Sequence, residues 1–350
     1  LKNSIFYTLF FSFLIFTFSY SQEKVLIYWS GLGELQWAKR IEKTVSEMGH
    51  LVHIYHGKPG EITEYESELT LSFPTENDLI HFENSFQPTL ILELNPCPTS
   101  KYPTNRVLFV HSIQGAKTTL IEPDIKRYQA IVCPDSVKNF LKRIKPELNL
   151  ITGYPTHHFK EFKALTPNGI FYCGFLRHDK KRGHGEQKMA LEYLANFSAL
   201  HLYGMKKDWA DFKNSYMGFL NFEADSIYKT IQDSGVCLVL HSNLHYDNGI
   251  PTARIFEAAA SSSFIIADRH PFVEKHFKDS VLYVDRDADG KKLGLQIMRH
   301  FMWIKKNPEK ALEKAKNAHA IFAKNFTLES FLENLFSNVL KKDRVLNDES

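Results

Sequence analysis

The stretch Asp247-Asn248-Gly249-Ile250-Pro251-Thr252-Ala253-Arg254-Ile255-Phe256-Glu257 holds the densest grouping of residues able to do chemistry. A turn with glycine and proline runs into a helical pattern in which Arg254 and Glu257 stand three apart, hence on one face. Backbone amides of such a turn, with a helix N-terminus behind them, suit phosphate oxygens. A carboxylate at the mouth of a sheet only accepts hydrogen bonds when ionised, which suits ribose hydroxyls. The plain alternative is a surface Arg–Glu pair, worth little in itself. That alternative leaves unexplained the turn, the small residues from Ala258 to Ser263 and the apolar run behind them.

Three further groups point the same way. Gly174 closes a strand pattern and opens GFLRHDKKR, where Arg177, Lys180, Lys181 and Arg182 follow. An arginine fork and lysine point charges can clamp a diphosphate, although a solvated basic loop is the commoner fate of such a run. His111 follows VLFV at the expected carboxyl end of a parallel strand, where open α/β sheets place ligands. It reads as a polar group facing a cleft, the alternative being a hydrogen-bonded loop histidine. Gly31 and Gly33 separate the first strand from the first helix and allow a ligand to approach the backbone, or simply form a tight turn. The full dinucleotide fingerprint is absent, because Trp37 and Ala38 follow where a third glycine belongs. Cys97, Cys133, Cys173 and Cys237 form no CxxC pair, and His241 and His245 stand four apart without an HExxH, so no metal site is assigned.

The elements that must position these residues follow from hydrophobic spacing. Leu35, Ala38, Ile41, Val45 and Met48 recur at three and four and predict an amphipathic helix, which Gly49 ends. Apolar runs predict strands on either side of it, at 24–29 and 51–55, and then at 89–94, 106–110, 130–133 and 148–152. The alternation restarts with strands at 170–174, 200–203, 236–240, 264–267 and 281–284, interleaved with helical patterns. Helices from about 291 to 341 close the chain. Such alternation builds parallel sheets covered by helices. A chain of 350 residues also exceeds the roughly 250–300 at which single cores stop growing. Two doubly wound α/β domains are expected, at 23–153 and 168–325. The linker at 154–167 is marked by Gly153-Tyr154-Pro155, and a C-terminal helix and tail occupy 326–350.

Residues 1–22 have the layout of a secretory signal peptide: Lys2, an uncharged apolar run at 5–20, then Ser19-Tyr20-Ser21. The run falls short of the about 20 residues a spanning helix needs, and an uncleaved membrane anchor is the alternative. The segment predicts a secretory-pathway, periplasmic or membrane-attached protein, with the cytoplasmic membrane face open to a retained anchor. The net charge of +3, from 43 basic and 40 acidic side chains, is too balanced for nucleic-acid binding by bulk electrostatics.

Residues 249–284 resemble the C-terminal domain of group 1 glycosyltransferases, especially the branch of spore-maturation-type glycosyltransferase-like proteins. The resemblance rests on ARIFEAAASSSFIIADRHPFVEKHFKDSVLYVD: an Arg-x-Phe-Glu-Ala helix, a small-residue turn, a strand ending in Asp, a short helix and another strand. Gly49-His50 with Val52, the segment 170–182 and Leu202-Tyr203-Gly204 agree more loosely. The resemblance implies a GT-B fold, with two Rossmann-like domains facing a central cleft. It implies a nucleotide-diphosphate sugar as co-substrate and no separate cofactor. Glu257 would bind the donor ribose, Arg177 and Lys181 would hold the diphosphate without a metal, and His111 would sit near the sugar. The donor pocket would also include Gly31, Gly33, Gly174, Arg182, Gly249, Ile250, Pro251 and Arg254. The implied reaction is retaining transfer to a glycan, lipid or protein acceptor, with a glycan or lipid-linked acceptor as the expected partner. Two positions depart from the pattern. Gly249 stands where relatives carry a second acidic residue, with Asp247 two residues off, and Ser262 stands where the turn usually has glycine. These departures support the alternative of a non-catalytic GT-B-like protein that binds a glycan or a partner in an exported compartment.

Overall fold

The computed structural model describes residues 22–29, 32–56, 76–94, 104–111, 125–174, 185–220 and 223–347. The N-terminal segment 1–21, Gly31, Arg177, Lys181 and Arg182 lie outside these described residues. The first half comprises β1 (Lys24–Trp29), α1 (Leu32–Glu47), β2 (Leu51–His56), α2 (Glu76–Phe86), β3 (Leu90–Glu93), β4 (Asn105–Phe109), β5 (Ala130–Cys133), α3 (Asp135–Ile144) and β6 (Leu150–Thr152). The second begins with β7 (Gly169–Cys173), α4 (Glu186–Ala195), β8 (Leu200–Tyr203), α5 (Lys206–Trp209), β9 (Tyr216–Gly218) and α6 (Ser226–Ser234). It continues with β10 (Gly235–Val239), α7 (Asn243–Asp247), α8 (Ala253–Ala260), β11 (Phe264–Asp268), α9 (Pro271–Phe277) and β12 (Leu282–Val284). Three helices follow: α10 (Gly290–Lys306), α11 (Pro308–Asn325) and α12 (Leu328–Asn347).

Each half builds a six-stranded sheet, ordered β2-β1-β3-β4-β5-β6 and β12-β11-β10-β7-β8-β9, and every pairing is parallel. The two doubly wound domains expected from the alternation are therefore present. Strand order reverses between β1 and β3 in the first sheet and between β7 and β10 in the second, and such switch points open ligand crevices at the carboxyl ends. The apolar strands are buried on both faces. Val25, Ile27, Leu90, Leu92 and Val107 pack under α1, while Leu26, Tyr28, Tyr55 and Ile91 face Phe82 and Phe86 of α2. The edge strand β9 and helix α7 are too short to announce themselves.

The C-terminal helix does not extend the second domain. Leu328, Leu332, Leu335, Phe336 and Val339 of α12 enter the core of the first, beside Val25, Ile27 and Val107. The crossing is anchored where Leu328 N donates to the His157 carbonyl at 2.9 Å and Thr156 Oγ1 donates to the Phe326 carbonyl. Ser262 takes a left-handed φ of 61°, the conformation for which the family's glycine is suited. Its Oγ accepts the linker amide of Lys163 at 3.1 Å, a bond glycine lacks.

Gly153 is where β6, the linker and α12 meet. A Cβ there would lie 2.3 Å from Val132 Cγ1 and 2.7 Å from Phe331 Cε2. Gly153→Ala is expected to destabilise the protein by about 1–3 kcal/mol through overpacking, measured as a lowered urea midpoint. An unchanged midpoint would show that α12 does not seat on β6 as described.

Candidate active site

The carboxyl ends of the two sheets face one another, and the turn after α7 bridges them. Ile250 is buried among Val110, Cys133, Val137 and Leu141 of the first domain. Gly249 adopts φ +62°, and a Cβ there would meet Ser136 Cβ at 4.0 Å. Pro251 is buried as well. The segment expected to cradle phosphates thus also serves as a domain contact. Helix α8 starts immediately after it, and its N-cap Thr252 makes no side-chain cap bond.

Glu257 lies one turn into α8 and is 4% exposed. Both carboxylate oxygens are engaged. Oε2 accepts from Arg254 Nη1 at 2.6 Å, the i,i+3 pair expected from the spacing, and Oε1 pairs with Arg40 Nη2 of α1 in the other domain. Arg40 is 2% exposed, and its Nη1 also donates to the Thr156 carbonyl of the linker at 3.4 Å. Arg254 Nη2 donates to the Cys173 carbonyl at 3.4 Å, and its guanidinium lies 5.2 Å from the Phe171 ring centre. Arg254 thereby ties α8 to the end of β7, at the switch point of the second sheet. Burial alone would raise the Glu257 carboxyl, but Arg254 and Arg40 outweigh it and hold it below the usual carboxylate value.

Gly174, next to Cys173, accepts the Trp209 Nε1 hydrogen at 2.8 Å through its carbonyl, and a Cβ there would come within 2.8 Å of Tyr172 Oη. Gly33 lies in the first turn of α1. His111 follows β4, half-buried, with its ring 4.9 Å from that of Trp37 in a T-shaped contact. Its Nε2 has no hydrogen-bond partner, and burial pushes the imidazole down to about 4, so it is neutral at pH 7. It can give or take a hydrogen bond there, not supply a positive charge. The structure joins Gly249, Ile250, Pro251, Arg254 and Glu257 around α8 and places Gly174 beside Cys173, which Arg254 contacts. Gly31, Arg177, Lys181 and Arg182 lie outside the described residues.

Two groups carried no sequence signal of their role. The cations of α1 form the first: besides Arg40, Lys39 Nζ lies 2.9 Å from Glu223 and Lys43 pairs with Asp225. His158 and Lys160 of the linker reach the same Asp225, at 2.6 and 3.5 Å. His157, His158 and Asp225 have ligand-capable atoms within 4.8 Å of one another, a spacing that suits a metal ion. Lys43 and Lys160 already neutralise that carboxylate, and a divalent cation there would face both. The second group sits at the ends of β10 and β11. His241 Nδ1 is 2.6 Å from Asp268 Oδ1, and the His241 and His270 rings stack at 4.0 Å. The sequence showed these histidines, but their pairing depends on strands being neighbours.

Solved structures with this arrangement decide the fold. A glycosyltransferase from Rickettsia africae superposes with a TM-score of 0.59 at 13% identity, over 92% of this chain and all of that one. Sucrose-phosphate synthase from Thermosynechococcus elongatus gives 0.58 at 12% identity, over 94% and 100%. The fold is GT-B. HepE from Anabaena, solved with UDP and glucose, gives 0.54 at 13% identity, over 91% and 100%. A family model described as "Glycosyl transferase-like" matches residues 184–337, from α4 of the second domain into α12. No curated protein sequence matches the chain.

Removing one partner of a buried ion pair strands the other charge, at a cost of about 3–5 kcal/mol. Glu257→Ala strands two arginines and is expected to cost that much in urea unfolding. Arg40→Ala leaves Glu257 paired with Arg254 and is expected to cost less. The double variant should show a coupling of about 0.5–3 kcal/mol, and additive effects would refute the contact across the domains.

Burial also depresses His158 and His270 to about 4. The fold holds both neutral while the unfolded chain takes up protons below about 6.5. Their contribution is therefore intact above that pH and is lost as pH falls from about 6.5 toward 4, on the order of 2 kcal/mol each by pH 5. Melting temperature is expected to fall between pH 7.5 and 5, less steeply in His270→Gln.

Proposed function

We propose that the protein is a glycosyltransferase that moves a sugar from a nucleotide-diphosphate sugar to a glycan, lipid or protein acceptor, with retention of configuration and without a metal. One observation carries this reading. A buried, ionised carboxylate, Glu257, sits one turn into a helix at the carboxyl end of a doubly wound sheet, with Arg254 fixing it to the adjacent strand end. In a GT-B protein that is a place for a nucleoside. The Glu257 oxygens accept the ribose hydroxyls, and the amides around Gly249 and the start of α8 face the diphosphate. Arg177, Lys181 and Arg182 follow Gly174 in sequence and supply the positive charge that stabilises the departing nucleoside diphosphate. His111, neutral, hydrogen-bonds the transferred sugar from the first domain. The nucleotides in HepE make UDP-sugars the first donors to try.

Arg40 sets a condition on this chemistry. It covers Glu257 and is itself tied to the linker at Thr156. A nucleoside reaches the carboxylate only when the domains part and Arg40 withdraws, a hinge motion of ordinary size for two-domain enzymes. The apolar run at 5–20 supports an exported or membrane-attached setting; among the described residues no helix is long and apolar enough to cross a membrane.

A second reading, a GT-B-like protein that binds without transferring, is favoured by the turn after α7. Gly249 stands at the position of the second acidic residue, and Ile250 is spent on packing in the first domain. Thermal shift and hydrolysis with UDP-, GDP- and ADP-sugars separate the two. Transfer predicts stabilisation plus slow donor hydrolysis, with the ligand-induced shift reduced roughly tenfold in affinity by Glu257→Gln, the loss of a charged hydrogen-bond acceptor. Arg177→Ala should lower hydrolysis more than binding. Stabilisation without hydrolysis supports the binding protein, and no response to any donor sinks the transferase reading and leaves a protein that binds a glycan or a partner.

A further inference from the structure

A cavity of about 290 Å³ lies between the end of the first sheet, the linker and the start of α12, and none of the site residues above lines it. Its walls are chemically distinctive. Among the lining residues there is no lysine or arginine. The one carboxylate, Asp135, is exposed and accepts from Thr152 Oγ1 at 2.8 Å and Tyr154 Oη at 3.2 Å, one bond on each oxygen, leaving lone pairs for further donors. Asn325 gives an amide hydrogen to the Ile321 carbonyl at 2.9 Å, which leaves its oxygen free to accept. Asn334 uses its oxygen to accept from Asn338 and keeps its NH2 group. The rim thus offers both donors and acceptors.

The apolar part of the lining is aromatic. Tyr154, Phe326 and Phe331 are half-buried and present carbon faces to the space. They are held from behind: Tyr154 packs on Phe256 at 5.6 Å and Phe272 at 5.0 Å, and Phe331 packs on Phe109 at 6.2 Å. His276 completes the wall against Phe272 and Phe326. Burial, then Lys275, lowers its imidazole, which leaves it uncharged at neutral pH. The cavity is near the lower end of the size range for small-molecule sites.

A phosphate-bearing ligand would find one carboxylate and no lysine or arginine in the lining; the Lys138 ammonium, outside the lining, donates to Thr152 Oγ1 at 3.1 Å. A flat apolar ligand would waste the polar rim. A neutral sugar ring has both properties the walls call for: hydroxyls around its edge, each donor and acceptor, and a face of C–H groups that packs on an aromatic ring. We propose that this cavity binds a neutral sugar residue of the acceptor chain, separate from the nucleotide pocket at Glu257. The location agrees with that role. Thr156 lines the cavity, and its carbonyl takes the hydrogen bond from Arg40, which covers Glu257. Phe256, behind Tyr154, is the residue before Glu257. A sugar chain seated here lies along the same domain junction as the donor carboxylate. The sugar-binding assignment stands on the cavity alone, while its assignment to an acceptor rests on the transfer reading.

The test uses the full chain and neutral saccharides: glucose, galactose, mannose, rhamnose and N-acetylglucosamine, each as the monosaccharide and as short oligomers. Binding is read by saturation-transfer NMR and by thermal shift at millimolar concentration. Ser330→Trp fills the cavity from an exposed position on α12, and Asn334→Ala removes one rim donor without touching the core. At least one saccharide is expected to bind the wild type, with affinity lowered roughly tenfold or more by Ser330→Trp and less by Asn334→Ala. Glucose 6-phosphate is expected to bind more weakly than glucose. Absence of any saccharide signal, undiminished binding in Ser330→Trp, or preference for the phosphorylated sugar each overturns the proposal. Nucleotide-sugar stabilisation is measured on the same variants and is expected to be unchanged. Its absence from the wild type while saccharides still bind would sink the donor assignment and leave the cavity assignment standing.

Discussion

Two buried charges and a third that is mostly enclosed set the terms for the rest of this molecule. Arg40 comes from the first domain and Arg254 and Glu257 from the second, and the carboxylate lies between the two guanidinium groups. Neither the acid nor Arg40 has access to water, so neither tolerates being left alone. The group therefore couples three things that are separate in sequence: the rotation of α1, the placement of α8 on β7 and the closure of the domains. Because Arg40 also donates to Thr156, the linker is held by the same charges.

Closure is reinforced by different physics on either side of that group. On one side, Lys39 and Lys43 of α1 meet Glu223 and Asp225, and these pairs are partly exposed and weak by themselves. On the other, Ile250 inserts into the first domain's apolar core, and α12 carries five apolar side chains across the junction. Exposed ion pairs and a single inserted isoleucine are easily exchanged for water. The helix crossing is not. A hinge built this way allows the cleft to open at Arg40 and Ile250 while α12 keeps the domains in register. The cavity lined by Thr156, Phe326 and Phe331 also draws Asp135 from the first domain and His276 from the second.

The strands and most helices were legible because the sheets are parallel and buried on both faces, so each strand reads as an unbroken apolar run such as VLFV or FIIA. The pairing of Arg254 with Glu257 was legible for a related reason: i,i+3 spacing on a helix fixes proximity locally. Short elements were not. Strand β9 has three residues at a sheet edge, and α7 has five, too few to reveal a period. His111 was placed correctly at a strand end by sequence, but its neutrality follows from Trp37 and its enclosure, which spacing does not show.

The sequence alone thus determined the two doubly wound domains and the local machinery of α8, since both follow from periodicity and from contacts within a few residues. Only the tertiary structure decided what Glu257 faces. Arg40 lies 217 residues away on a helix whose apolar face said nothing of its polar one. It likewise decided that α12 belongs to the first core and that Gly249 and Ile250 join the domains. Those outcomes depend on which surfaces the two sheets bring together, and no local pattern encodes that choice.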